Sequence, residues 1–213
     1  VSTGDPETDA ASLAGMRGLS VILAERTSVE PGEPRAIDVE RDEIVFFPLL
    51  YWPVLATADP PSEQGLARIN AYMKNGGTIF FDLREDGLGT DALSGAPSAT
   101  TLALRRLLEK LDIPALEPVP AEHVLTKAFY LLTGFPGRYD AGALWVERAD
   151  QQGAQTSNAD GVSSIIIGSN DYAGAWAIDE TGNPMFAAVP GGDRQRELAF
   201  RTGINIVMYA LTG

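Results

Sequence analysis

Two stretches that are apolar at every position but one, IVFFPLL (44–50) and TIFF (78–81), constrain this chain more than any other feature. A strand with one wet face alternates apolar and polar residues, whereas a continuous apolar run marks a strand covered on both sides. Between the two stretches, Ser62 stands as a helix N-cap and Leu66, Ile69 and Met73 recur at helical spacing. Asn75-Gly76-Gly77 then supplies a left-handed stop. Strand, helix, strand in that order predicts a mostly parallel, doubly wound α/β sheet.

Other segments fit that plan. Asp5-Pro6-Glu7 opens a helix running to about Arg26, with Leu13, Met16, Leu19, Ile22 and Leu23 on its apolar positions. After the EPGEP turn (30–34) a short strand is expected over 36–39. Leu104, Leu107, Leu108 and Leu111 give another amphipathic helix, and strands are expected at 143–146 and 164–167. AWAIDETGNPMFA (175–187) reads as a hairpin about Gly-Asn-Pro, and a last helix (193–211) carries Phe200, Ile204, Val207 and Leu211. No repeat or long linker divides the chain, so residues 1–213 are expected to form one domain.

With 45% hydrophobic residues the chain can build a substantial core. A net charge of −13 argues against nucleic acid and anionic lipid as partners, and leaves neutral or cationic ligands and divalent ions. There is no cysteine, which removes disulfides, thiolate metal sites and Cys nucleophiles. The longest apolar run, IVFFPLLYWPVLA (44–56), is too short to span a bilayer and holds two prolines, so no direct membrane insertion is expected. A start at Val1 and a stop just after a helical pattern suggest a piece of a longer chain.

In doubly wound sheets ligands sit beyond the carboxyl ends of the strands. That rule selects Tyr51 and Trp52, the segment Asp82 to Asp86, and Ser169-Asn170-Asp171-Tyr172. Asp82, Glu85, Asp86 and Asp171, with Asn170, could offer hard oxygen ligands to Mg or Ca, although no known metal-loop spacing is present. No other cofactor is expected. His123, the single histidine, must serve any imidazole-based mechanism, with Ser169 as the hydroxyl at a strand end, but GSN is not a nucleophile elbow. DGLGTDA (86–92) matches a dinucleotide fingerprint only on paper, because no helix opens directly from it. Arg84 could pair with Asp82, while Arg138 and Tyr139, in an aromatic loop, could take a carboxylate or a partner protein.

Five stretches together resemble a bacterial family called domain of unknown function 4159: IVFFPLLYWPV (44–54), INAYMKNGGTIFFDLRED (69–86), EHVLTKAFYLLTGFPGRY (122–139), IIIGSNDYAGAWA (165–177) and RQRELAFRTGINIVMYALTG (194–213). The resemblance implies a class I glutamine amidotransferase-like fold, a flavodoxin-like three-layer sandwich. It also implies a place near the C-terminus of a membrane protein with an aerotolerance-regulator (BatA-like) beginning. The parent enzymes carry a Cys-His-Glu triad, but Asp82-Leu83-Arg84 stands where their cysteine elbow would follow the strand. HVLTK (123–127) is similar to the His-Pro-Leu-Thr of trehalose-utilization relatives, with Val124 in place of proline.

The expectation is therefore a non-catalytic binding or assembly module of a bacterial envelope protein, tethered to the inner membrane through another part of the chain. Its partner would be a protein or a further domain of that chain; the oligomeric state is left open. The alternative is a hydrolase or a ligand- or metal-sensing domain that uses His123 and the strand-end acids.

Overall fold

Ser62 does cap the helix between the apolar stretches, its hydroxyl accepting the N–H of Gly65 at 3.1 Å. Gly76 ends that helix at φ 91°, a left-handed conformation that suits glycine. A computed structural model describes residues 1–85, 96–148 and 162–212. Within them the helices are α1 (Pro6–Arg26), α2 (Glu63–Lys74), α3 (Ala99–Leu108), α4 (Tyr172–Trp176) and α5 (Gly192–Ala210). The strands are β1 (Leu49–Pro53), β2 (Thr78–Asp82), β3 (Leu116–Pro118), β4 (Trp145–Glu147) and β5 (Ile165–Gly168).

The five strands form one sheet in the order β1-β2-β5-β4-β3. β1, β2 and β5 pair in parallel, with Leu49 opposite Thr78 and Ile79 opposite Ile165. β4 runs antiparallel to both β5 and β3. The sheet is thus only partly parallel: two of its four pairings are antiparallel, although β3 points the same way as the parallel three. The antiparallel half is built from strands of three residues, too short to show any periodicity in sequence.

Strand periodicity divides the core. Tyr51, Phe80 and Ile166 face a cluster with Leu19, Leu23, Tyr172, Trp176, Phe200 and Ile204, from α1, α4 and α5. Leu50, Ile79, Phe81, Ile165 and Ile167 face the opposite cluster with Ile69, Met73, Leu104 and Leu107, from α2 and α3. Helices therefore cover both faces, and for this reason the central strands lack polar alternation.

Several expectations are corrected. Ile44–Phe46 is a 3₁₀ turn and β1 begins at Leu49, so Tyr51 and Trp52 lie inside the strand rather than beyond its end. Pro48 separates the two, since it cannot supply a ladder N–H. Residues 36–39 form no strand; Ile37 and Val39 are buried from irregular backbone. The 175–187 hairpin is shortened: residues 175–176 end α4, and the antiparallel pairing is limited to 177–185 around the 179–183 turn, with Ile178 opposite Pro184. There the small residues of YAGAW follow a capping aspartate, a helix-start signal that outweighs the apolar alternation.

α1 lies unusually close to α4. A Cβ on Gly15 would stand 2.4 Å from the carbonyl oxygen of Ala173, and one on Gly18 only 2.0 Å from that of Trp176. No described helix is long and apolar enough to cross a membrane. In a free helix, Gly to Ala adds about 1 kcal/mol of stability. Here the methyl group meets backbone, and Gly18→Ala is expected to cost about 1–3 kcal/mol net. Urea unfolding checks this; a midpoint at or above the wild-type value would show that the two helices can part.

Candidate strand-end site

β2 ends on a carboxylate with no contact to water. Asp82 is fully buried, and each donor around it comes from a different part of the chain. Its Oδ2 accepts the Tyr51 hydroxyl at 2.8 Å and the Tyr172 N–H at 2.6 Å, while Oδ1 accepts the Arg84 N–H at 3.0 Å. The last bond closes a turn two residues on, a conformation that aspartate favours. Burial first, and the negative charge of Asp171 second, push the Asp82 carboxyl from 3.8 up to about 7, against the opposing pull of its three hydrogen bonds. Burial and the same two acids also hold the Tyr51 hydroxyl well above its ordinary value, so it remains a donor.

The turn sets Arg84 at φ 55° and carries its guanidinium toward the end of β5. There Nε donates to Asp171 Oδ1 at 3.3 Å, and Nη1 donates to the Thr8 hydroxyl in the first turn of α1 at 2.7 Å. Asp171, at φ 50°, is the N-cap of α4, Oδ1 also accepting from Gly174 N–H at 3.3 Å. Its Oδ2 accepts from Arg138 Nη1 at 3.2 Å. Arg138 lies between the rings of Tyr139 and Phe186, 5.2 and 4.9 Å from their centroids. Among the described residues, Arg84 and Asp171 are the two non-glycine residues with positive φ. Both sit at this point, where backbone strain is a pointer to function.

Asn170 is wholly buried and ties the neighbouring loop to the sheet. Its Oδ1 accepts from the N–H groups of Ala141 and Gly142 (3.1 and 3.0 Å), and its Nδ2 donates to the carbonyls of Phe135 and Gly142 (3.1 and 3.0 Å). Tyr172 donates to the same Phe135 carbonyl at 2.7 Å. Behind the loop, buried Gln195 donates from Nε2 to the carbonyls of Gly137, Arg138 and Val189. These bonds fix where Arg138 stands.

The structure thus brings together Tyr51, Asp82, Arg84, Arg138, Asp171 and Tyr172. It does not bring the other candidates to them. Glu85 turns to Ser98 and Thr100, its Oε1 accepting the Thr100 hydroxyl at 2.5 Å. Ser169 contributes its backbone carbonyl, which accepts from Glu85 N–H at 2.6 Å. Trp52 faces the α2 and α3 side, its ring 5.3 Å from that of Phe81. Asp86, with the 86–92 loop, lies outside the described residues. His123 caps a 3₁₀ turn, its Nδ1 accepting Leu125 N–H at 3.2 Å, and it packs on Tyr209, whose hydroxyl reaches Ser163 near the amino end of β5. The imidazole thus contacts α5 and makes no bond to the Asp82 and Asp171 cluster, and partial burial lowers its pKa. No cluster of three or more acids or histidines suited to a metal ion occurs among the described residues.

A family model described as Domain of unknown function (DUF4159) matches residues 1–211. The chain belongs to that family. No curated protein matches the chain. Within this DUF4159 domain, Thr8 and Gln195 are members of the site that sequence reading missed. The first reads as an ordinary first-turn helix residue and the second as an exposed helix polar residue, and neither carries a local signal of a long-range partner.

Because the folded-state pKa of Asp82 lies above the unfolded value, the folded protein binds the proton more tightly. Stability from this group is then full below about pH 4 and is lost as pH rises to about 7. At 1.36 kcal/mol per pH unit, that amounts to roughly 4 kcal/mol over the window. Asp82→Asn is expected to abolish this slope. Urea unfolding at pH 4.5 and 7.5 should show the variant's deficit relative to wild type shrinking as pH rises; a constant deficit would show that Asp82 is ionised throughout.

Proposed function

We propose that this domain is a non-catalytic binding or assembly module, built as a single amidotransferase-like, flavodoxin-like three-layer sandwich that has lost its nucleophile. In this reading it is held at the bacterial inner membrane by another part of the chain. Its partner is a protein or a neighbouring domain presenting a carboxylate to Arg84 and Arg138.

One observation carries the reading: the strand-end acids are occupied with internal bonds, while the two arginines that hold Asp171 keep 27% and 28% of their side chains exposed. The Asp82 carboxyl, pushed up to about 7, carries a reduced charge near neutral pH, so it offsets the two guanidiniums less than a free aspartate would. Two partly exposed guanidiniums thus stand side by side on a chain of net charge −13. Planar guanidiniums take carboxylates in bidentate fashion, and charge steering of this kind chooses partners more than it adds affinity.

A second reading has support in the Asp82 carboxyl near 7, a value suited to a general acid or base in a hydrolase or ligand sensor, with Mg or Ca as its possible ion. Its burial without a path to solvent weighs against it. Incubation with glutamine, aryl esters and simple glycosides separates the two. No turnover above the buffer rate is expected. A rate that Asp82→Asn abolishes would reject the module reading in favour of acid–base chemistry, and one that His123→Ala abolishes would reject it in favour of an imidazole mechanism.

A further inference from the structure

On the far flank of β1 lies a cavity of about 430 Å³, walled by α1, the 29–37 loop, the 46–51 segment and the end of α5. That volume falls in the range of small-molecule sites, about 300–1,000 Å³. Most of its wall is apolar: Leu13, Met16 and Leu19 from α1, Leu49 from the sheet and Val207 from α5. Three further observations distinguish it from a packing gap.

Ser12, on α1, lines the cavity with only 9% of its surface exposed, and its hydroxyl makes no hydrogen bond. A buried hydroxyl without a partner carries a desolvation penalty that a bound polar atom would relieve. At the mouth, Phe46 is 79% exposed and Leu211 46%, an aromatic and an aliphatic side chain left in water beside an apolar interior. The charged side chains on the wall are Asp9, Glu30 and Glu33 against Arg35, and Glu33 is already paired with Arg17. An anionic head would meet repulsion there.

We propose that this cavity binds an uncharged single-chain amphiphile, its hydrocarbon chain along α1 and β1 and one oxygen, of an alcohol, ether or amide, on the Ser12 hydroxyl. The site is separate from Arg84 and Arg138. Only Tyr51 belongs to both regions, lining the cavity and donating its hydroxyl to Asp82. The inference therefore stands whether or not the strand-end reading does.

Titration calorimetry with 1-decanol and with decanoate at pH 7.5 tests it, together with thermal melts. Decanol should bind saturably at one site and raise Tm. Decanoate should bind at least tenfold more weakly. Ser12→Ala should weaken decanol about threefold to tenfold, the range of one net hydrogen bond. Met16→Trp, which fills the space from α1, should weaken it at least tenfold, and Val207→Phe does the same from α5 should the first variant lose its wild-type Tm. Absence of saturable decanol binding to the wild-type protein overturns the proposal. So does decanoate binding as tightly as decanol, or undiminished binding in a filled variant that keeps its wild-type Tm.

Discussion

The left-handed conformation of Asp171 is the constraint on which the rest of the structure turns. It lets the chain leave β5 and enter α4 within three residues, with Ser169 and Asn170 still bonded to neighbouring loops. A non-glycine residue in this region costs about 1–3 kcal/mol, less for aspartate than for most. Arg84 adds a second such cost. Against them stand charged hydrogen bonds from Arg84 and Arg138 to Asp171 and from Arg84 to Thr8, each worth about 1.5–3 kcal/mol when shielded from water. Partial exposure of both guanidiniums reduces that figure, so the strain and the clamp roughly balance. The balance makes each dependent on the other: without the ion pairs the turn would relax, and without the turn α4 would not present its backbone to Gly15 and Gly18 of α1.

Asp82 shows the same interdependence one strand away. Water is a better solvent for a carboxylate than three hydrogen bonds in a hydrophobic core, and the raised pKa states the difference. The three donors lie in β1, in the turn after β2 and at the start of α4. An apolar residue at this position would leave the Tyr51 hydroxyl and two backbone N–H groups unpaired. The acid is thus kept for what it joins, and its partial neutrality near pH 7 is the consequence first of its burial and then of lying close to Asp171.

How much of this was legible depends on how far apart in sequence each cause lies. α2, β2 and α5 were readable because their signals are local: a capping serine with a Gly-Gly stop, three apolar residues in a row after a threonine, a long amphipathic period. β1 was displaced because its apolar run continues unbroken through a 3₁₀ turn, and hydrophobicity alone cannot tell the two apart. β3 and β4 owe their existence to pairing with β5 and have no period of their own. At the site, the strand-end rule located Asp82, Arg84, Asn170 and Asp171, since topology alone dictates where strands finish. It could not pair them correctly. Arg84 turned out to donate its side chain to Asp171, 87 residues away, and only its backbone to Asp82. Thr8 and Gln195 were invisible for the same reason.

The arrangement also bears on what chemistry this scaffold can offer. A nucleophile at a strand end works because its reactive atom projects into a cleft with a base beside it. Here the residue at that position points into the protein, its oxygens taken by structural donors, and the single imidazole packs against Tyr209 of α5. Among the described residues at the carboxyl ends stand two partly exposed guanidiniums, their positions fixed by Asp171, by the Thr8 hydroxyl and by the rings of Tyr139 and Phe186. Fixed guanidiniums lose little freedom when they meet a carboxylate. The physical character of the site therefore follows from an inversion between Asp82 and Asp171, turned inward to hold the fold, and Arg84 and Arg138, left partly outward.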